Sequence, residues 1–192
     1  MEENKLFAVL LGGNPPGTGV EVHDVVFTVG PTLEATRWQM LAAWFAGGPA
    51  PHIDSWMELD VVDGARIALT TDVLTTDPAP GGRDLWHVYL GYYEPGDAGF
   101  VEGHESLFVV AADAAEAKAR AKRLARRAPA ERLHTDALRR VSDRLAGLGL
   151  PYRVAISETG APDETGQRAK PAAHDGYQPF PEEFLSAHWR KA

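Results

Sequence analysis

Four short motifs in this chain pair an imidazole with a carboxylate: Glu21-x-His23, His52-x-Asp54, Glu102-x-His104 and His134-x-Asp136. Nitrogen and oxygen donors at such spacings can hold Zn²⁺ or another divalent ion, and a set with one open position can activate water for hydrolysis. The plainer alternative is structural. His23 and His52 would hydrogen-bond nearby carboxylates at the edge of a core, because a buried polar group needs a partner. Glu-x-His and His-x-Asp lack the specificity of the recognised zinc signatures. From sequence alone the structural reading is therefore expected, no cofactor is required, and a divalent metal is the alternative. A histidine beside a carboxylate could also do acid–base work unaided. No serine or threonine is marked by its surroundings as a nucleophile, and cysteine is absent.

The second group with chemical potential is basic. Lys118, Lys122 and Arg126 stand four apart on a predicted helix over 118–127, with Arg123 and Arg127 beside them. Such a stripe could track phosphates, which makes nucleic-acid or anion binding a further alternative. Against it stand a net charge of −8 and the absence of aromatic residues interleaved with the bases. A solvated helix face, or a contact with the acidic first half of the chain, fits the composition better. Gly12-Gly13-Asn14-Pro15-Pro16-Gly17 lacks the Lys-Ser/Thr ending of a phosphate loop and leads into a strand, so it reads as a turn. Trp38, Trp44 and Trp56 sit among apolar residues and read as core.

The elements that must position these groups come twice. Leu6-Phe7-Ala8-Val9-Leu10-Leu11-Gly12 returns 79 residues later as Leu85-Trp86-His87-Val88-Tyr89-Leu90-Gly91, and the Glu-x-His and His-x-Asp motifs follow in the same order. Self-similarity at a fixed period means one supersecondary unit used twice. The expected organisation is a first unit over 1–77, a diverged second unit over 84–156, and a linker with a C-terminal docking helix over 157–192. Units of that size bury a modest share of their surface. With 44% hydrophobic and 24% charged residues, the chain has the composition of an ordinary globular protein.

Within each unit a short apolar run and a β-branched run read as a hairpin, Leu6 to Leu11 with Val20 to Val29 and their counterparts. Alternation puts Phe7, Val9 and Leu11 on one face, and Glu21, His23, Val25, Phe27 and Val29 on one face. With the apolar members pointing inward, each Glu-x-His pair is expected on the core-facing side. A helix follows, opened by Thr32 in the first unit and by Asp113 in the second, where Glu116 completes a capping box. Leu33, Trp38, Met40, Leu41, Trp44 and Phe45 give the first helix a wide apolar surface. His52 to Val61 alternates like a strand, and Val62-Asp63-Gly64 turns it back into Ala65 to Leu69. In the second unit Leu138, Val141 and Leu145 have helical spacing, which predicts helix over Thr135 to Ala146 and a strand at Tyr152 to Ile156. Ser157 to Pro179 reads as linker, and Pro181 starts a final helix. The fold class is α+β, a tandem of hairpin-helix-strand units compatible with a β-grasp-like layout.

The run Leu11-Gly12-Gly13-x-x-Pro16-Gly17, then Glu21-x-His23-Asp24, His52-Ile53-Asp54-Ser55-Trp56 and Val62-Asp63-Gly64, resembles the bacterial domain-of-unknown-function family 1543. The resemblance is close over residues 5–70 and loose over 84–156. It implies a chain with one or two copies of such a domain in a bacterial cytoplasmic setting, and brings no substrate or catalytic residue with it. The apolar run Leu6 to Leu11 is too short for a membrane span or a signal-peptide core, which agrees with a cytoplasmic protein that has no membrane partner. The functional expectation is a non-catalytic binding or interaction module, leaning away from an enzyme, whose partner is a protein or a second copy of itself. A metal-dependent hydrolase using the His, Asp and Glu residues is the main rival.

Overall fold

The computed structural model describes residues 3–71, 82–93, 102–158 and 171–189. The chain divides into two compact units. One is made of Met1–Asp60, Leu145–Tyr152 and Pro171–Ala192, the other of Val61–Arg144 and Arg153–Lys170. The architecture is α+β, and every strand pair is antiparallel.

In the first unit β1 (Lys5–Gly13) pairs with β2 (Val22–Gly30) and with β3 (His52–Glu58), and β10 (His174–Pro179) adds to the outer side of β3. Directly opposed residues share a face, so the pair Val9↔Val26 places Phe7, Val9 and Leu11 with Val26. That face is covered by Leu33, by Met40 and Leu41 of α1 (Arg37–Ala43), and by Trp44 and Phe180. Phe184 and Leu185 of α4 (Glu182–His188), with Trp189 just past it, pack against the same cluster. Gln39 ties α1 to β2: its side chain accepts from the Val29 N–H at 2.8 Å and donates to the Val29 carbonyl at 2.7 Å. Thr32 Oγ1 accepts from the Ala35 N–H at 3.3 Å, although the N-cap of the 3-10 turn Glu34–Thr36 that precedes α1 is Leu33. Trp38 and Phe45 are exposed rather than part of the expected apolar surface, because the buried stripe runs through Gln39, Met40, Leu41 and Trp44.

In the second unit β6 (Asp84–Tyr92) pairs with β7 (Gly103–Ala111) and β8 (His134–Arg140). Helix α2 (Ala114–Leu124) covers Val88, Leu90, Val109 and Ala111 with Ala117 and Ala121. Its start is a capping box whose glutamate reaches one residue beyond the N-cap. Asp113 accepts from the Glu116 N–H, and Glu116 accepts from the Ala112 N–H, both at 2.8 Å. A second sheet joins β4 (Val61–Val62), β5 (Ala65–Thr70) and β9 (Arg153–Glu158). Asp63 and Gly64 both take positive φ in the two-residue β4–β5 turn, and Asp63 also pairs with Arg120.

The fold corrects three expectations. Residues 134–140 are strand rather than helix. Helix α3 (Val141–Gly147) starts only at Val141, since the open edge of β6 recruits the segment and Leu138 joins the α2-side core from the strand. Residues 174–179, expected as linker, form β10; the linker segment 159–170 lies outside the described residues. Gly12 and Gly13 are the last residues of β1, and the turn begins after them, with the Thr18 N–H donating to the Pro15 carbonyl. The Glu-x-His motifs share a buried sheet face with Phe27, Val29 and Val110, as alternation predicts, and that face is the one opposite the helix. His23 opposes Gly12 and His104 opposes Gly91, positions on the other face from Val9 and Val88. Both faces of β1 are buried, Leu6 and Ala8 on one and Phe7 and Val9 on the other, so a core-facing side is not necessarily the helix-covered one.

Candidate metal centres

Each His-x-Asp motif sits on a β-bulge. Leu10 pairs with Ser55 and Leu11 with Ile53, so Asp54 is the extra residue of β3. Tyr89 pairs with Ala137 and Leu90 with Thr135, so Asp136 is the extra residue of β8. A bulge turns an additional side chain toward a face it would otherwise miss. Asp54 and Asp136 thereby join the histidines two residues before them.

The four motif residues of each unit converge. In the first, His52 Nε2 is 3.1 Å from Glu21 Oε1 and 3.1 Å from Asp54 Oδ1. His23 Nε2 is 3.1 Å from Asp54 Oδ2 and 3.7 Å from Glu21 Oε2. In the second, His134 Nε2 is 2.5 Å from Glu102 Oε1 and 3.2 Å from Asp136 Oδ1, and His104 Nε2 is 3.4 Å from Glu102 Oε2 and from Asp136 Oδ2. One donor atom each from Glu102, His134 and Asp136 lies within 4.8 Å of the other two. Atoms bound to one ion at ordinary Zn–N and Zn–O lengths stand roughly 3.0 Å apart in octahedral and 3.4 Å in tetrahedral geometry. Most of these separations fall in that range.

The contacts are close without all being hydrogen bonds. Asp54 Oδ2 and Glu102 Oε1 are buried and have no hydrogen-bond partner, although a histidine nitrogen stands beside each. A donor nitrogen that is near an oxygen but not aimed at it suits a shared central ion better than a pairwise bond.

Both clusters are built over a glycine. A Cβ at Gly12 would meet the Asp54 carboxylate and come within 2.8 Å of His52 Nε2; at Gly91 it would lie 2.5 Å from Asp136 Oδ2 and from His134 Nε2. The cross-strand pairs Gly12↔His23 and Gly12↔His52, and Gly91↔His104 and Gly91↔His134, place each glycine between its two histidines.

The surroundings differ. In the first unit the Tyr177 ring lies 4.4 Å from the His52 ring. The β3–β10 register skips from Asp175↔Ser55 to Gln178↔Ile53, so Gly176 and Tyr177 bulge opposite Asp54, and Gly176 takes φ 133° to allow it. An open cavity of about 430 Å³ lies beside Glu21, His52 and Asp54, bordered also by Asn14, Pro49 and Tyr177. In the second unit Tyr89 stacks on His104 at 4.8 Å and Tyr93 on His134 at 5.8 Å. The hydrogen bond from Tyr93 to Glu102 holds the Tyr93 phenol above its usual range, while burial, then Asp136 and Glu102, raise Tyr89. Behind Tyr89, buried His87 has Nε2 3.2 Å from Ser106 Oγ, and its ring stacks on Phe108. Burial first, then Arg144 and Arg139, push His87 down to about 4. The sequence reading missed Tyr177, Asn14, Tyr89 and Tyr93. The position of Tyr89 and Tyr93 around Gly91 was the available signal for the last two.

The basic residues do not form one helical stripe. α2 ends at Leu124, so Arg126 and Arg127 lie past it, where their backbone N–H groups donate to Glu105 at 3.0 Å and 3.1 Å. Lys122 donates to the Leu133 carbonyl, while Lys118 and Arg123 are exposed on α2. Among the described residues no helix is long and apolar enough to cross a membrane.

Fold and clusters define an antiparallel α+β protein of two units, each carrying two histidines and two carboxylates over a glycine. The family model for the Domain of Unknown Function (DUF1543) matches residues 18–69, which span Glu21, His23, His52 and Asp54. A crystal structure of protein Il1583 from Idiomarina loihiensis is similar, with 30% identity and a TM-score of 0.62 over 94% of this chain and 100% of that one. Over residues 18–69 the chain therefore resembles DUF1543, and over nearly its whole length it resembles protein Il1583. No curated protein matches the chain.

Proposed function

We propose that this protein is a metal-binding module, with one divalent first-row transition ion held by Glu21, His23, His52 and Asp54 and another by Glu102, His104, His134 and Asp136. The observation that carries the reading is the pair of buried carboxylate oxygens, Asp54 Oδ2 and Glu102 Oε1, which stand beside imidazole nitrogens without hydrogen bonds. Mixed imidazole and carboxylate sets suit zinc, manganese or iron(II). Two anionic carboxylates and two neutral imidazoles offset the charge of a divalent ion. The like registers around Gly12 and Gly91 support reading the two units as diverged copies of one.

Native mass spectrometry with elemental analysis tests this on full-length protein purified without chelator and then offered Zn²⁺, Mn²⁺ or Fe²⁺. The expected result is two ions per chain, falling to one in His52→Ala and to one in His134→Ala. A wild-type chain that takes up none of the three ions would overturn the reading and leave the histidines structural.

A further inference from the structure

The cavity beside the first cluster distinguishes that site by what it could admit. Glu21, His52 and Asp54 form one wall, so an ion held there would face the cavity. The other walls carry an amide, that of Asn14, and the ring of Tyr177. Tyr177 meets His52 yet is 68% exposed, which leaves much of its ring uncovered. Among the described residues no lysine or arginine borders the cavity.

We propose that this cavity is a binding site for a small, planar, singly charged oxygen chelator that completes the coordination of the ion in the first cluster. The inference rests on the metal reading above and adds a ligand class to it. Four protein donors leave two positions on a six-coordinate ion, the number that one bidentate ligand fills. Charge narrows the class. A divalent ion cancels Glu21 and Asp54, and with no lysine or arginine among the described wall residues a phosphate or a dicarboxylate would add two uncompensated charges where a monoanion adds one. A monoanion whose charge is spread over two chelating oxygens places that charge on the metal. The amide of Asn14 offers a hydrogen bond to it, and the open side of Tyr177 offers an aromatic surface. Hydroxamates, enolates and α-hydroxy carboxylates with a flat body share this chemistry. The cavity is of the size that ordinary small-molecule sites have.

The test uses full-length His134→Ala protein, so that only the first site is loaded, with metal content measured before any ligand is added. Calorimetry then follows benzohydroxamate, a planar monoanionic bidentate chelator, with inorganic phosphate as comparator. Saturable binding of benzohydroxamate at one per ion is expected, with phosphate much weaker. Asn14→Ala and Tyr177→Ala should each weaken it by roughly threefold to tenfold, the loss of one hydrogen bond or one aromatic contact, without lowering metal content. Both residues are exposed, so neither replacement removes core packing. A loaded protein that ignores benzohydroxamate, binds it equally in both variants, or prefers phosphate would overturn the inference while the metal reading stands. Protein that takes up no ion overturns both.

Discussion

Gly12 has no room for a side chain, and the reason is chemical rather than conformational: the space above it is filled by the Asp54 carboxylate, His52 Nε2 and the His23 ring. Gly12→Ala is expected to spread those donors and weaken the first site by roughly tenfold or more, as loss of a supporting contact does in metal centres. Gly19, with nothing within 4 Å of an added Cβ, is the control. Metal titration of Gly12→Ala against Gly19→Ala checks it, and equal affinities would count against a shared ion. His87 makes a different prediction. Burial, Arg144 and Arg139 lower its pKa from 6.5 to about 4, so the folded chain refuses a proton that the unfolded chain accepts. Its contribution to stability is therefore present above 6.5, is lost as pH falls through the interval down to about 4, and amounts to about 3 kcal/mol across it. Urea unfolding at a series of pH values should show that slope in the wild type and a shallower one in His87→Gln.

Helix α2 and the bulged strands show how much of each element could be read in advance. The Asp113 and Glu116 box is local chemistry, legible from two residues three apart, and it forms as expected. Asp113→Ala should destabilise the second unit by about 1 kcal/mol, seen as a lower urea midpoint with an unchanged slope. β8 shows the opposite. Leu138, Val141 and Leu145 carry helical spacing, yet only Val141 and Leu145 sit in helix, because a strand edge offers residues 134–140 backbone hydrogen bonds that no local pattern reveals. The two bulges are equally silent in sequence. Asp54 and Asp136 look like ordinary strand residues until the neighbouring strand's register is known.

Across the whole chain, charge proved a weaker guide than geometry. The bases of segment 118–127 are spread between α2, a carbonyl contact and backbone positions beyond the helix, which leaves no continuous basic face on that helix. The C-terminal strand owes its structure to long-range pairing as well. Exposed, glycine-containing and short, residues 174–179 have no hydrophobic period of their own, and they become strand only by pairing with β3. Composition, periodicity and short motifs were enough to establish the α+β class, the leading hairpin and the capped helix and to single out the eight His, Asp and Glu residues that cluster, because all of these depend on residues near one another in the chain. Which face of each sheet the helix covers, whether carboxylate meets imidazole, and the placing of Tyr177 over His52 depend on pairing between strands dozens of residues apart. That pairing is set by long-range packing and by single-residue register shifts, and a period of two along one strand cannot encode either.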